Sequence, residues 1–272
     1  MDDFTSLLDS MDELTAEEEA KATEVEDKPI VQDALDAGST NIDTFMDIVF
    51  CIDITGSMQP TIDKVKGFAT SLYDDLIPFM LKVAHREVKA LRVKVIGFRD
   101  FYCDGKYALE ESDFFKLPEQ NQEFKNFVSS LEAKGGGDDP ENSLEALALA
   151  MKTDWVKIND LNTQRSRHVI VLFTDDAAHR FEEAETYTGT NYPEGMPKSY
   201  KELLMAWNGQ GDISLSMDKR AKRLIVFAPE ESYPWSDMQE DFENAVFLPM
   251  ARTLGGEDVA REAIINTIGG TI

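Results

Sequence analysis

The chain has 272 residues, 42% of them apolar, enough for one large or two small domains with a real core. Its 52 acidic residues against 27 basic ones leave a net charge of −25 at pH 7, which argues against binding to a nucleic-acid backbone or an anionic membrane surface. Two cysteines, Cys51 and Cys103, with no C-x-x-C pair and no clustered histidines, exclude a disulfide framework and a zinc finger and point to a reducing, cytoplasmic setting.

Residues 1–43 differ from the rest: 14 acidic side chains face only Lys21 and Lys28. Phe4, Leu7, Leu8, Met11 and Leu14 recur at helical spacing, so a short amphipathic helix is open to this segment, but 17–27 reads as a solvated acidic linker. The expectation for 1–43 is a flexible acidic segment. No basic n-region precedes an apolar stretch, and no apolar run approaches the roughly 20 residues that span a bilayer, so neither a signal peptide nor a membrane span is expected.

From residue 44 to 272 apolar runs of strand length alternate with helix-period segments, the pattern of a doubly wound α/β domain with a mostly parallel sheet. Six strands are expected, at 45–52, 92–98, 107–109, 168–173, 223–227 and 245–248, the third a short antiparallel edge strand. The first, second, fourth and fifth are nearly continuous Val, Ile, Leu and Phe, as for strands covered on both faces. Helices are expected over 58–83, 119–131, 140–151, 200–207 and 258–268, with Pro140-Glu141 opening the third. Residues 186–218, rich in Gly, Pro, Asn and Tyr, read as an insertion over the rim of the sheet, a common place for specificity.

Chemistry gathers where strands end. The first strand runs into Asp53-Ile54-Thr55-Gly56-Ser57, at the carboxyl edge where ligands of open α/β sheets bind. Carboxylate and hydroxyl oxygens at alternate positions of a tight loop can converge on a hard cation. A second acidic loop, Asp138-Asp139-Pro140-Glu141, follows three glycines, which permit backbone conformations closed to other residues. A third, Thr174-Asp175-Asp176, ends another buried strand. Three acidic loops on one rim repel one another, and a divalent cation offsets that repulsion. For any single loop the plainer reading is a helix cap at Thr55 and Ser57 or a turn residue at Asp175.

Asp53-x-Thr55-x-Ser57 resembles the D-x-[ST]-x-S signature of the metal-ion-dependent adhesion site of von Willebrand factor A domains. The resemblance is closest to the domains beside alpha-kinases and in hemicentin-type proteins, through Gly97-Phe98-Arg99-Asp100, the string from Gly135 to Asn142, Asp175-Asp176-Ala177-Ala178-His179, and Tyr192-Pro193-Glu194-Gly195. It covers about residues 44–270 and implies a Rossmann-like fold and a site for Mg2+, with Mn2+ or Ca2+ as substitutes. It also implies the ligands: Thr55 and Ser57 directly, Asp53 and Asp175 directly or through water. In place of the family's usual second-loop threonine stands an Asp-x-Pro-Glu form like that of integrin beta-type domains, making Glu141 the candidate and Asp138 the next.

The function so implied is a divalent-metal-dependent protein interaction module, an intracellular assembly or regulatory subunit whose metal takes a Glu or Asp of a partner protein. Tyr187, Tyr192, Tyr200 and Trp207 of the insertion are candidate contact aromatics, with Trp207 equally open to a place in the core. Enzyme readings fare worse. A phosphoryl-accepting aspartate wants a second carboxylate where Thr55 stands. Ser57 lies in no G-x-S-x-G elbow, and no Gly-Lys-Ser/Thr follows Gly137. The alternative that stays is a metal-dependent hydrolase or phosphatase on the same site, with His179 as its general acid. Asp100 is expected either on the metal rim or paired with Arg99 or a neighbouring lysine.

Overall fold

Residues 46–53 are all buried, and they alternate between two cores. Met46, Ile48, Phe50 and Ile52 pack on one side of the sheet and Val49 and Cys51 on the other, so this strand, β1 (Asp43–Asp53), must be covered on both faces. The computed structural model describes residues 42–82, 87–137, 139–187, 190–210, 217–250, 265, 266 and 268.

Around β1 stand β2 (Val88–Phe98), β3 (Leu109–Glu111), β4 (Phe115–Leu117), β5 (Gln164–Phe173), β6 (Lys222–Ala228) and β7 (Ala245–Pro249). The sheet order is β3-β2-β1-β5-β6-β7, with β4 also on β2. β2, β1, β5, β6 and β7 run parallel, and β3 and β4 are antiparallel to β2. The sheet therefore has seven strands among the described residues rather than the expected six. β4 is only three residues long, too short for alternation to announce it. The edge strand lies at Leu109–Glu111, two residues later than expected, because Gly105–Tyr107 closes a 3-10 turn first.

One face is covered by α1 (Ile62–Lys82) and α3 (Asn121–Ser130), which bury Leu72, Leu76, Phe124 and Val128. On the other lie α4 (Ser143–Lys152), α5 (Tyr200–Trp207) and α6 (Trp235–Asp241), through Leu144, Met151, Trp207 and Trp235. A fully buried Leu or Phe contributes about 1.5–3 kcal/mol, so the inward face of α1 offsets the roughly 3 kcal/mol that Pro78 costs inside it. A short helix, α2 (Phe101–Asp104), follows β2, nucleated by Asp100, whose carboxylate accepts from the N–H groups of Tyr102 and Cys103.

Two expectations shift by a few residues with consequences for the site. α1 begins at Ile62, since Gly56–Met58 forms a 3-10 turn. The third helix opens at Ser143, not at Pro140-Glu141, and Glu141 instead forms a parallel bridge with Ala178. Of the helix expected over 258–268, Ile265, Asn266 and Ile268 are helical and the remainder lies outside the described residues, as do 1–41 and Asp138. In the insertion, Tyr187 and Trp207 are buried. Trp207 packs on Phe242 and donates its indole N–H to the Glu243 carbonyl, and so is core rather than contact surface. No helix among the described residues is long and apolar enough to cross a membrane.

Candidate metal centre

The parallel register brings the ends of the central strands level: Asp53 pairs with Phe98, and Ile52 with Phe173. The loops after β1, β2 and β5 thus leave from one edge. Asp53 is fully buried there. Its Oδ1 accepts from the Thr55 N–H at 2.9 Å and the Thr55 hydroxyl at 2.7 Å, and its Oδ2 from the Thr174 hydroxyl at 2.8 Å. Ser57, open to solvent, donates its hydroxyl to Asp175 Oδ1 at 2.9 Å. Thr55 stands at the N-cap of the 3-10 turn, but its side chain makes no capping bond, so the cap reading fails for it.

Four oxygens form a chain of contacts: Asp53 Oδ1, Thr55 Oγ1, Ser57 Oγ and Asp175 Oδ1, with the two hydroxyls 3.0 Å apart. Each hydroxyl has one proton to give. With both aspartates ionised, three contacts share two protons. With those protons turned to the carboxylates, the hydroxyl oxygens face each other with lone pairs only. A cation supplies what that contact lacks.

The second loop is fastened to the first. The Gly56 N–H donates to the Gly135 carbonyl at 3.1 Å, and the Gly136 N–H to Asp104 Oδ2 at 2.8 Å. Gly136 has φ +78°, and a Cβ on it would stand 2.9 Å from Glu141 Oε1 and 3.1 Å from Thr55 Cβ. The position takes glycine because Glu141 and Thr55 both press against it. Glu141 in turn is tied to the third loop, its N–H donating to the Ala177 carbonyl at 3.0 Å and its carbonyl accepting from the His179 N–H at 2.9 Å. Its Oε2 is buried and has no hydrogen-bond partner among the described residues.

Glu141, Asp53, Asp100, Asp175 and Asp176 are all buried at this edge. Burial, then the charges of Asp53, Asp100, Asp104 and Asp176, push the Glu141 carboxyl up to about 10. Burial also raises Asp53, to about 6, against the pull of its bonds from Thr55 and Thr174. Six residues earlier in β1, the equally buried Asp47 is paired with Arg92 at 2.8 and 2.6 Å. Neither Asp53 nor Glu141 has such a basic partner among the described residues. No three His, Cys, Asp or Glu side chains among those residues form a ready metal cage. The donor set is a mixture of hydroxyls and carboxylates, which suits a hard, partly hydrated cation such as Mg2+.

A model of the von Willebrand factor type A domain matches residues 48–178, the span that holds all three loops. The chain contains a von Willebrand factor type A domain. The alpha-protein kinase vwkA of Dictyostelium discoideum is 28% identical over 156 residues, 57% of this chain. The chain covers 22% of that relative's length. Among solved structures, the pilus adhesin SpaC of Lactobacillus rhamnosus GG (13% identity, TM-score 0.48) aligns with 84% of this chain and 30% of its own. Proximal thread matrix protein 1 of the mussel byssus (11% identity, TM-score 0.48) aligns with 84% of this chain and 49% of its own.

The roles of several residues that frame this edge were not legible in the sequence. Arg99 does not pair with Asp100. Fully buried, it donates to the carbonyls of Ile54, Lys134, Tyr107 and Glu132 and to Glu110 Oε1, clamping the first two loops together. Thr174 was read only as the start of the third loop and Asp104 not at all, because their partners, Asp53 and Gly136, are remote in sequence. His179, the candidate general acid, lies between two carboxylates, with Nδ1 2.6 Å from Glu183 Oε2 and Nε2 3.4 Å from Asp100 Oδ1. Burial works against its charged form, but Asp100 and Glu183 together hold its pKa above the ordinary value.

Proposed function

We propose that Asp53, Thr55, Ser57, Glu141 and Asp175 hold a divalent cation, Mg2+ or in its place Mn2+ or Ca2+, and that the domain uses it to dock an acidic side chain of a partner protein. Asp138, outside the described residues, is the second candidate in its loop. The observation that supports this reading most is the contact chain of four oxygens one proton short, beside a buried Glu141 oxygen that lacks a partner among the described residues. Once bound, the ion supplies an electrophilic centre with exchangeable water positions. Thr55 and Ser57 are neutral donors, so they leave it charge to share with an incoming Glu or Asp. This chain's own contribution is to hold the oxygens rigid, through Arg99 and the Glu141–Ala178 bridge, and to leave Ser57 open to the outside.

The role is assembly or regulation, in which one chain recognises another, and the setting is cytoplasmic. That setting agrees with Cys51 and Cys103, neither of which is in a disulfide. We read the site as binding rather than catalytic, since both ring nitrogens of His179 face carboxylates. Isothermal calorimetry of Mg2+ into the wild type and Ser57→Ala tests the reading. The wild type should bind the ion and the variant at least about tenfold more weakly, with an unchanged far-UV spectrum; equal affinities would overturn it.

A further inference from the structure

Among the described residues four large hydrophobic side chains are exposed: Leu81, Tyr102, Tyr107 and Leu161. Leu81 and Leu161 precede β2 and β5, at the far edge of the sheet. Tyr102 and Tyr107, 67% and 66% exposed, share the turn that follows β2, beside the metal loops.

The connection between that turn and the site is direct. Asp100, at its start, accepts from the Tyr102 N–H at 2.8 Å through its carboxylate. Asp104, at its middle, accepts from the Gly136 N–H, and Gly136 is pressed between Glu141 and Thr55. At its end the Tyr107 carbonyl is held by Arg99 at 2.8 Å. The backbone carrying both rings is thus pinned to the loops that carry the oxygens, while the rings themselves project outward. Rigid, outward-facing tyrosines on a fixed backbone lose little freedom on binding, which is why they recur as interface anchors.

Charge indicates what they meet. Lys106 and Lys134 are both exposed and both stand within two residues of the contact between Asp104 and the glycine loop. The Lys106 ammonium lies 4.9 Å from the centre of the Tyr107 ring. Lys134 is paired with Glu132 at 2.6 Å, so on a chain of net charge −25 it is Lys106, beside the edge proposed to hold a cation, that offers a local landing for negative charge.

We propose that Tyr102 and Tyr107 with Lys106 form the specificity surface of the docking site, taking an acidic protein segment in which an apolar side chain follows closely on the carboxylate directed at the metal. This rests on the metal reading above. The carboxylate supplies attachment, and the two rings decide which carboxylates attach.

The test uses the full chain in Mg2+ and short synthetic Gly/Ser peptides carrying one Glu, with Phe, Leu or Ala placed a few residues away. Fluorescence anisotropy should show the Phe and Leu peptides binding about tenfold more tightly than the Ala peptide. That preference should vanish in Tyr102→Ser/Tyr107→Ser, whose Mg2+ affinity by calorimetry stays that of the wild type. Lys106→Glu should slow association at low salt. Equal binding of Ala and Phe peptides, no binding of any peptide by Mg2+-loaded wild type, or an unchanged preference in the double variant would overturn the surface and leave the metal site standing. Absence of Mg2+ binding by the wild type would remove both.

Discussion

Replacing Glu141 by Gln separates what the carboxylate does for the fold from what it does for an ion. With its pKa raised to about 10 from an ordinary 4.5, Glu141 keeps its proton in the folded, metal-free chain at pH 7, whereas the unfolded chain has released it. The folded state then binds more protons than the unfolded one, so stability falls as pH rises between the two values. From pH 5 to pH 7 that amounts to at most about 2.7 kcal/mol from Glu141. Asp53, raised from 3.8 to about 6, adds roughly 1.4 kcal/mol below pH 6. Gln is neutral at every pH and of the same shape, so Glu141→Gln should retain the smaller Asp53 slope and lose the larger one. Urea unfolding in EDTA at pH 5 and pH 7 measures both. In saturating Mg2+ the ion should hold Glu141 ionised, the wild-type slope should flatten or reverse, and binding should release protons, visible as a buffer-dependent heat. A Gln variant with the full wild-type slope in EDTA would refute the assignment of that buried proton to Glu141.

Gly136→Ala places a methyl group against Glu141 Oε1 and Thr55 and should weaken Mg2+ binding about tenfold in calorimetry, with a destabilisation of about 1–3 kcal/mol. Thr174→Val deprives Asp53 Oδ2 of its donor and should cost about 1–3 kcal/mol in denaturant unfolding. Arg99→Met leaves the carbonyls of Tyr107, Glu132 and Lys134 without the Arg99 donor and should cost more than about 3 kcal/mol, read as a fall in melting temperature. Purified protein with Mg2+ or Mn2+ should turn over no phosphoester, nucleotide or peptide; an Asp53-dependent phosphatase activity would restore the hydrolase alternative.

The strands that build the rim were legible because burial on both faces leaves near-continuous apolar runs, as at 48–52 and 169–173. The three loops were legible because each places acidic residues where such a run stops or a helix starts. Local rules failed where a remote partner outweighed them. Pro140-Glu141 has the look of a helix start, yet Ala178 pairs with Glu141 and holds it extended. Asp100 stands beside Arg99 in sequence, but adjacent residues of an extended chain point apart, and each found a different task. Tyr187 was counted as a contact aromatic, and Trp207 left open between contact and core, because composition does not separate a ring that faces solvent from one that faces Phe101 or Phe242. Tyr102 and Tyr107, which do face solvent, sit in a short helix and the 3-10 turn after it, where the edge strand was expected to start at Tyr107.

The register of β1 has a mechanical consequence. β1 lies between β2 and β5, in parallel register with β2 over 44–53 and with β5 over 43–52. A pull applied through a partner to the Asp53 loop runs along the axis of β1, perpendicular to neither ladder's strands, so both ladders are loaded lengthwise. In that direction their hydrogen bonds share the tension together and do not open one after another as in a zipper. An attachment point at this place on the sheet can carry load without the strand beneath it peeling away.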